Sequence, residues 1–158
     1  MGGSKFVNPN DEKYAYLIGK MIAMEGWILL NGGRPSGVME SSARGAKENG
    51  GITVGILPTD QTDWASQYID IPIVTGMGFA RNVINILSSD IIVALPGSAG
   101  TISEIALALN HGKKVILFRF DVGLWIKDYQ DRGQVFFVDK LEQLRELMRK
   151  MLNNHFHL

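Results

Sequence analysis

The chain has 158 residues, 46% hydrophobic and 20% charged, which predicts one globular domain over residues 1–158 and excludes a disordered or fibrous chain. Its 16 basic residues balance 16 acidic ones, so there is no electrostatic footprint for nucleic acid or an anionic membrane. It lacks cysteine, which excludes disulfides, zinc–cysteine sites, iron–sulfur clusters and a cysteine nucleophile, and fits a reducing compartment. No apolar run approaches the ~20 residues of a membrane span, and no apolar signal region opens the chain. The expected location is the cytoplasm.

In chain order, short apolar runs alternate with amphipathic stretches. Gly2-Gly3-Ser4 has the character of a strand-to-helix glycine turn, yet only Met1 precedes it. A doubly wound fold usually opens on a buried strand, so that strand is expected to be missing. Tyr14, Leu17, Ile18 and Met21 recur at helical spacing after the acidic start Asn10-Asp11-Glu12. Trp27 to Leu30 reads as a strand, with Trp27 in the core. A helix is expected from about Val38 to Asn49, then a strand over Ile52–Leu57. Pro58 to Tyr68 is the longest polar interruption, expected as a mobile surface loop with a short helix. Ile71–Val74 and Ile91–Leu95 read as strands covered on both faces, as do Val115–Phe118 and Val135–Val138. Helices are expected around Arg81 and over Ile102, Ile105, Ala106 and Leu109. An amphipathic terminal helix carries Leu141, Leu144, Leu147, Met148 and Met151. This alternation means an α/β fold with a parallel sheet.

Three glycine clusters directly follow predicted strands: Asn31-Gly32-Gly33-Arg34-Pro35-Ser36-Gly37, Thr75-Gly76-Met77-Gly78, and Pro96-Gly97-Ser98-Ala99-Gly100-Thr101. In open α/β sheets ligands bind outside the carboxyl ends of the strands. Glycine lets backbone N–H groups approach an anion, and the next helix N-terminus adds partial positive charge. One such loop is equally well explained as a tight turn; three together favour a site for a phosphorylated small molecule. Standard nucleotide motifs fail. Gly76 to Arg81 has arginine where the dinucleotide fingerprint needs its third glycine, and Gly112-Lys113 lacks the earlier glycine of a P-loop.

Arg81 falls near a helix start, where a cation opposes the helix dipole, so an anionic partner is suggested; a surface ion pair is the plainer reading. Glu104, three residues after Thr101, fits a capping box. It also fits a general acid/base or a hydrogen-bond acceptor for a ribose or pterin. Arg34 suits a phosphate contact; Arg44 could equally be solvated; Lys47 and Lys113 have no special setting. His111 suits a helix C-terminal turn, and His155 and His157 a frayed tail. No metal-binding constellation is expected. Trp64 either covers a ligand ring or caps the core.

The run Pro96-Gly97-Ser98-Ala99-Gly100-Thr101-Ile102-Ser103-Glu104 is similar to the PGGxGTxxE signature of the lonely-guy (LOG) family. Gly32-Gly33 with Gly37-Val38-Met39 resembles that family's second glycine loop. Gly26 to Leu30, Gly32-Gly33-Arg34, Ile71 to Gly76, Ala80-Arg81-Asn82 and Ala106 to Leu109 resemble its molybdenum cofactor carrier branch most. The resemblance runs from about Gly2 to Phe118 and more loosely beyond. It implies a Rossmann-like doubly wound parallel sheet with helices on both faces, in a homodimer or homotetramer. For the carrier branch it implies binding of molybdenum cofactor, a pterin bearing one phosphate, without turnover. For the enzyme branch it implies a nucleoside 5′-monophosphate phosphoribohydrolase that releases free base and ribose 5-phosphate, with Arg81 and Glu104 at the catalytic positions. The implied ligand contacts are Gly32, Gly33, Arg34, Gly76, Gly78, Arg81, Gly97, Ser98, Ala99, Gly100, Thr101 and Glu104. Ser98 replaces a signature glycine, and Asn82 stands where the enzymes have lysine after the arginine, which fits the carrier branch.

Overall fold

The computed structural model describes residues 1–153. Six α-helices and six strands occur among the described residues. In order they are α1 (Asp11–Met24), β1 (Leu29–Asn31), α2 (Gly37–Lys47), β2 (Thr53–Leu57), β3 (Ile71–Val74), α3 (Asn82–Leu87), β4 (Ile92–Ala94), α4 (Ala99–Asn110), β5 (Val115–Phe118), α5 (Lys127–Asp131), β6 (Val135–Val138) and α6 (Leu141–Asn153). All strand pairs are parallel, in two sheets ordered β1-β2-β3 and β4-β5-β6.

No strand precedes α1. Residues Met1 to Gly3 lie along β4 in its place. The Met1 nitrogen donates to the Val93 carbonyl at 2.6 Å. Leu95 N–H donates to the Met1 carbonyl at 3.0 Å, and Gly3 N–H to that of Pro96 at 3.2 Å. This exchange follows the slanted pattern of a parallel ladder. The Gly3 carbonyl then accepts from Val38 N–H in α2 at 3.0 Å. A three-residue segment thus ties the β4 sheet to the elements around β1.

β5 shows why the sheet is covered on both faces. Its four apolar residues are all buried, and successive side chains point to opposite sides. Ile116 and Phe118 pack with Ile18 and Ile22 of α1, Ala43 of α2 and Met148 of α6. Val115 and Leu117 pack with Ile86 of α3 and Ile105 and Ala108 of α4. Each fully buried residue of this kind contributes about 1.5–3 kcal/mol. Trp27 is partly buried against the first cluster.

β3 does not follow the expectation. Its Ile-Pro-Ile-Val run is exposed at every position, because it is the edge strand of its sheet and no helix covers it. Pro72 is itself an edge signal, since proline cannot donate to a ladder. The Pro58–Tyr68 stretch contains turns but no helix.

α1 and α2 cross at glycines. A Cβ on Gly19 would collide with the Ser42 carbonyl, and one on Gly45 with that of Tyr16. α6 is pinned to the end of α1 by Glu25, whose carboxylate accepts from Arg149 at 2.6 and 2.8 Å and also from Arg145. Hydrogen bonds from Arg149 and then Arg145 hold the Glu25 carboxyl below its ordinary value, against an opposing desolvation cost. Because the folded-state value is depressed, this stabilisation is present above the ordinary glutamate value of about 4.3 and is lost as pH falls through the lower one. The melting temperature of wild type should therefore exceed that of Glu25→Gln by a constant margin near neutrality, and the margin should shrink below pH ~4. Parallel melts of the two proteins from pH 7 downward check this.

Candidate functional site

The carboxyl ends of β1, β3 and β4 open into the three glycine loops. The first is shaped by Asn31, the last residue of β1. Its Oδ1 accepts from Gly33 N–H at 2.8 Å, while its Nδ2 donates to the Met39 carbonyl at 3.0 Å and to Ser42 Oγ at 3.2 Å. One buried amide thus fixes the loop to α2. Gly33 has φ +69°, and a Cβ there would lie 2.7 Å from the Leu57 side chain and 3.0 Å from the Gly55 Cα. Only glycine fits such a left-handed position without strain.

Arg81 reaches this loop from the second one. It ends the 3-10 turn Gly78–Arg81 and sits at the start of α3. Gly76 and Gly78 both have positive φ. The turn is tied to the β2–β3 connection, since Pro58 O accepts from Gly78 N–H at 2.9 Å. The arginine is only 7% exposed. Its Nη1 donates to Asn82 Oδ1 at 2.8 Å and its Nη2 to the Gly32 carbonyl at 3.4 Å. A Cβ on Gly32 would lie 2.5 Å from Nη2, so glycine leaves the guanidinium its room. The Nε is buried with no partner. Burial pulls the Arg81 pKa below its ordinary value, Glu104 opposes this, and the like charge of Arg34 adds to it. Arginine stays protonated regardless, so the site holds a dehydrated cation with a second cation nearby.

The third loop leads into α4. Gly97 packs against Gly3, and a Cβ on Gly97 would lie 2.8 Å from Gly3 N and collide with Thr101 Oγ1. Gly3 is bonded to both Pro96 and Val38, so the segment Met1–Gly3 joins the first and third loops. Ser98 is the N-cap of α4 but makes no side-chain cap bond, and Ala99 and Gly100 are exposed. Their N–H groups lie in the helix turn that offers unpaired donors.

The capping box between Thr101 and Glu104 is not formed. α4 starts at Ala99, which puts Thr101 third in the helix rather than at its N-cap. Glu104, 9% exposed, is a further turn inside and cannot reach the N-cap N–H. Its carboxylate makes no hydrogen bond or ion pair among the described residues, and the charge of Glu104 is felt at Arg81.

Four other ionisable residues weighed from the sequence stand apart from this cluster. Arg44 pairs with Glu12 at 3.2 Å and lies 5.4 Å over the Tyr16 ring. Lys47 pairs with Asp70. Lys113, far from featureless, donates to the carbonyls of Leu87 at 3.1 Å and Ser89 at 2.8 Å, and so satisfies the end of α3. His111 caps α4. His155 and His157 lie outside the described residues. No group of three potential metal ligands occurs among the described residues. The sequence reading gave no role to Asn31, signalled only by its place between an apolar run and two glycines, or to the Asn82 side chain, named only as the replacement for the enzymes' lysine, which anchors Arg81.

A family model described as LDcluster4, SLOG cluster4 family, matches residues 1–145. The chain belongs to the SLOG cluster4 family. This member is similar to the molybdenum cofactor binding protein from the phototrophic bacterium Rippkaea orientalis, at 44% identity over 94% of this chain and 91% of that one, with a TM-score of 0.85. It is similar to the Moco carrier protein from Chlamydomonas reinhardtii at 40% identity, over 98% and 95% of the two chains, with a TM-score of 0.86. A more distant likeness, 31% identity over 131 residues, is to the cytokinin riboside 5′-monophosphate phosphoribohydrolase of Mycobacterium tuberculosis, covering 75% of this chain and 70% of that protein. The Rossmann-like α/β fold of this SLOG cluster4 member and its kinship with both carriers and LOG-type enzymes are as the glycine signatures implied.

Proposed function

We propose that this protein is a single-domain carrier of molybdenum cofactor that seats the cofactor's phosphate at the Arg81 guanidinium. The observation that carries this is the buried Arg81 with its unpartnered Nε, next to Arg34 and the first glycine loop. A buried unsatisfied cation costs free energy, and an anion that accepts its remaining hydrogen bond offsets that cost. Gly32, Gly33, Gly76 and Gly78 keep the approach open. Gly97, Ser98, Ala99, Gly100 and Thr101 present helix-terminal N–H groups. The likeness to two proteins described as molybdenum cofactor binding and carrier proteins supports the choice of ligand.

One observation favours the hydrolase as second reading. Glu104 is buried and free of a capping bond, as an acid that stabilises a cationic sugar transition state would be. Free-base release from AMP and from a cytokinin ribotide, followed by chromatography, separates the two. The carrier reading expects no release from folded protein and saturable cofactor binding. Base release abolished in Glu104→Gln would overturn the carrier in favour of the enzyme.

The chain acts as a homodimer or homotetramer in the cytoplasm in this reading. The uncovered β3, whose Ile71, Ile73 and Val74 are exposed, and Phe79, 86% exposed, support assembly. Parallel strands are normally covered on both faces, and exposed apolar groups of this size mark contact surfaces. No helix among the described residues is long and apolar enough to cross a membrane.

A further inference from the structure

Trp64 is the largest side chain in the β2–β3 connection and is 60% exposed. The reading that it caps the core is excluded, since it belongs to neither buried cluster. The segment that carries it is not free-hanging. Ser66, itself buried, donates its N–H to the Gly33 carbonyl at 2.8 Å. Ala65 N–H donates to Thr62 O at 2.8 Å. At the other end, Thr59 O accepts from Thr75 N–H at 3.1 Å and Gly76 N–H at 3.0 Å. The connection is therefore fastened to the first glycine loop at one end and to the second at the other. Residues 60–64, all exposed, bridge the two loops that supply Arg34 and Arg81.

We propose that Trp64 is a stacking platform for the planar heteroaromatic ring, pterin or purine, of a ligand whose phosphate sits at Arg81. The inference rests on the phosphate reading of the Arg81 site. Three features support it. An indole left largely in water keeps unburied a large share of the 150–250 Å² such a side chain can bury, about the face a fused two-ring ligand covers. The two residues that follow it, Ala65 and Ser66, are hydrogen-bonded to Thr62 and Gly33, so little ordering of the adjoining backbone is left to do when the ring arrives. Tryptophan has few rotatable bonds, and stacking needs no particular ring edge, so one platform accepts either ring class.

The test uses three probes against the full chain: AMP, neopterin monophosphate and ribose 5-phosphate, which has the phosphate and sugar but no ring. In Trp64→Ala, affinity for at least one of the two ring-bearing probes should fall about tenfold, while that for ribose 5-phosphate changes less than twofold. Trp64→Phe should keep most of the ring affinity. Ring binding should quench tryptophan emission in wild type and not in Trp64→Phe, although Trp27 and Trp125 remain. Equal affinity of Trp64→Ala and wild type for the ring probes overturns the proposal, as does an equal loss for all three probes. A change of oligomeric state with ring affinity intact overturns it too, and assigns Trp64 to a contact between copies. Failure of wild type to bind ribose 5-phosphate as well as both ring probes refutes the underlying phosphate reading instead.

Discussion

Arg81→Ala should weaken binding of a phosphorylated ligand by about 100-fold or more without lowering the melting temperature by more than about 2 °C. Binding and folding make opposite demands on this side chain. In the free protein the guanidinium is buried, lacks a partner for Nε, and sits near a second arginine. Each of these raises the free energy of the folded state. Removing the charge relieves that penalty, which offsets the packing lost with the side chain. The bound state has no such compensation, because the anion loses its one desolvated cation. Calorimetric titration with AMP and with molybdenum cofactor reads the first effect, and thermal unfolding the second. A drop in stability with binding retained would make Arg81 a structural residue and remove the basis of the phosphate site.

The largest effect on stability is expected at the α1–α2 crossing. Gly45→Val should destabilise the protein by about 3 kcal/mol and lower its melting temperature by roughly 10 °C. The clash there is with the Tyr16 carbonyl rather than with a flexible side-chain tip, so it can be relieved only by separating the helices. Separation would also loosen Ala15, Ile18, Ala43 and Ala46, which are buried between them. Gly19→Ala, from the facing helix, should act in the same direction. The double variant should lose less than the sum, since both substitutions push apart one interface. Thermal unfolding of the three proteins settles the matter.

The sequence made some of this legible and hid the rest, for identifiable reasons. β5 was readable because four consecutive apolar residues need cover on both faces, and they have it. β3 carries the same kind of run, yet its position at the sheet edge depends on strand order, which no local pattern encodes; only Pro72 hinted at it. α4 starts three residues before the position its capping pattern predicts. Thr101 and Glu104 match a capping box by spacing, whereas the helix begins at Ala99, and Gly100 in its first turn obscures the boundary. Arg81 was recognised as a cation near a helix start, but its burial follows from contact with Gly32, 49 residues earlier. Asn31 was missed because its amide works through Met39 and Ser42, a turn away on another element. The glycines, by contrast, marked all three loops in advance: positive φ at Gly33, Gly76 and Gly78 leaves few other residues admissible in the first two, and in the third Gly97 packs too closely against Gly3 and Thr101 to carry a Cβ.

The exposed edge at β3 has a bearing on how the protein avoids aggregation. An apolar, flat, unpaired strand is a template on which other chains can extend a sheet without limit. β3 is only four residues long, and Pro72 within it has no N–H to offer. A hydrogen-bonded ladder therefore cannot run unbroken along this edge. Copies that meet here must do so through the side chains of Ile71, Ile73 and Val74, which favours a finite, closed complex over a growing fibre.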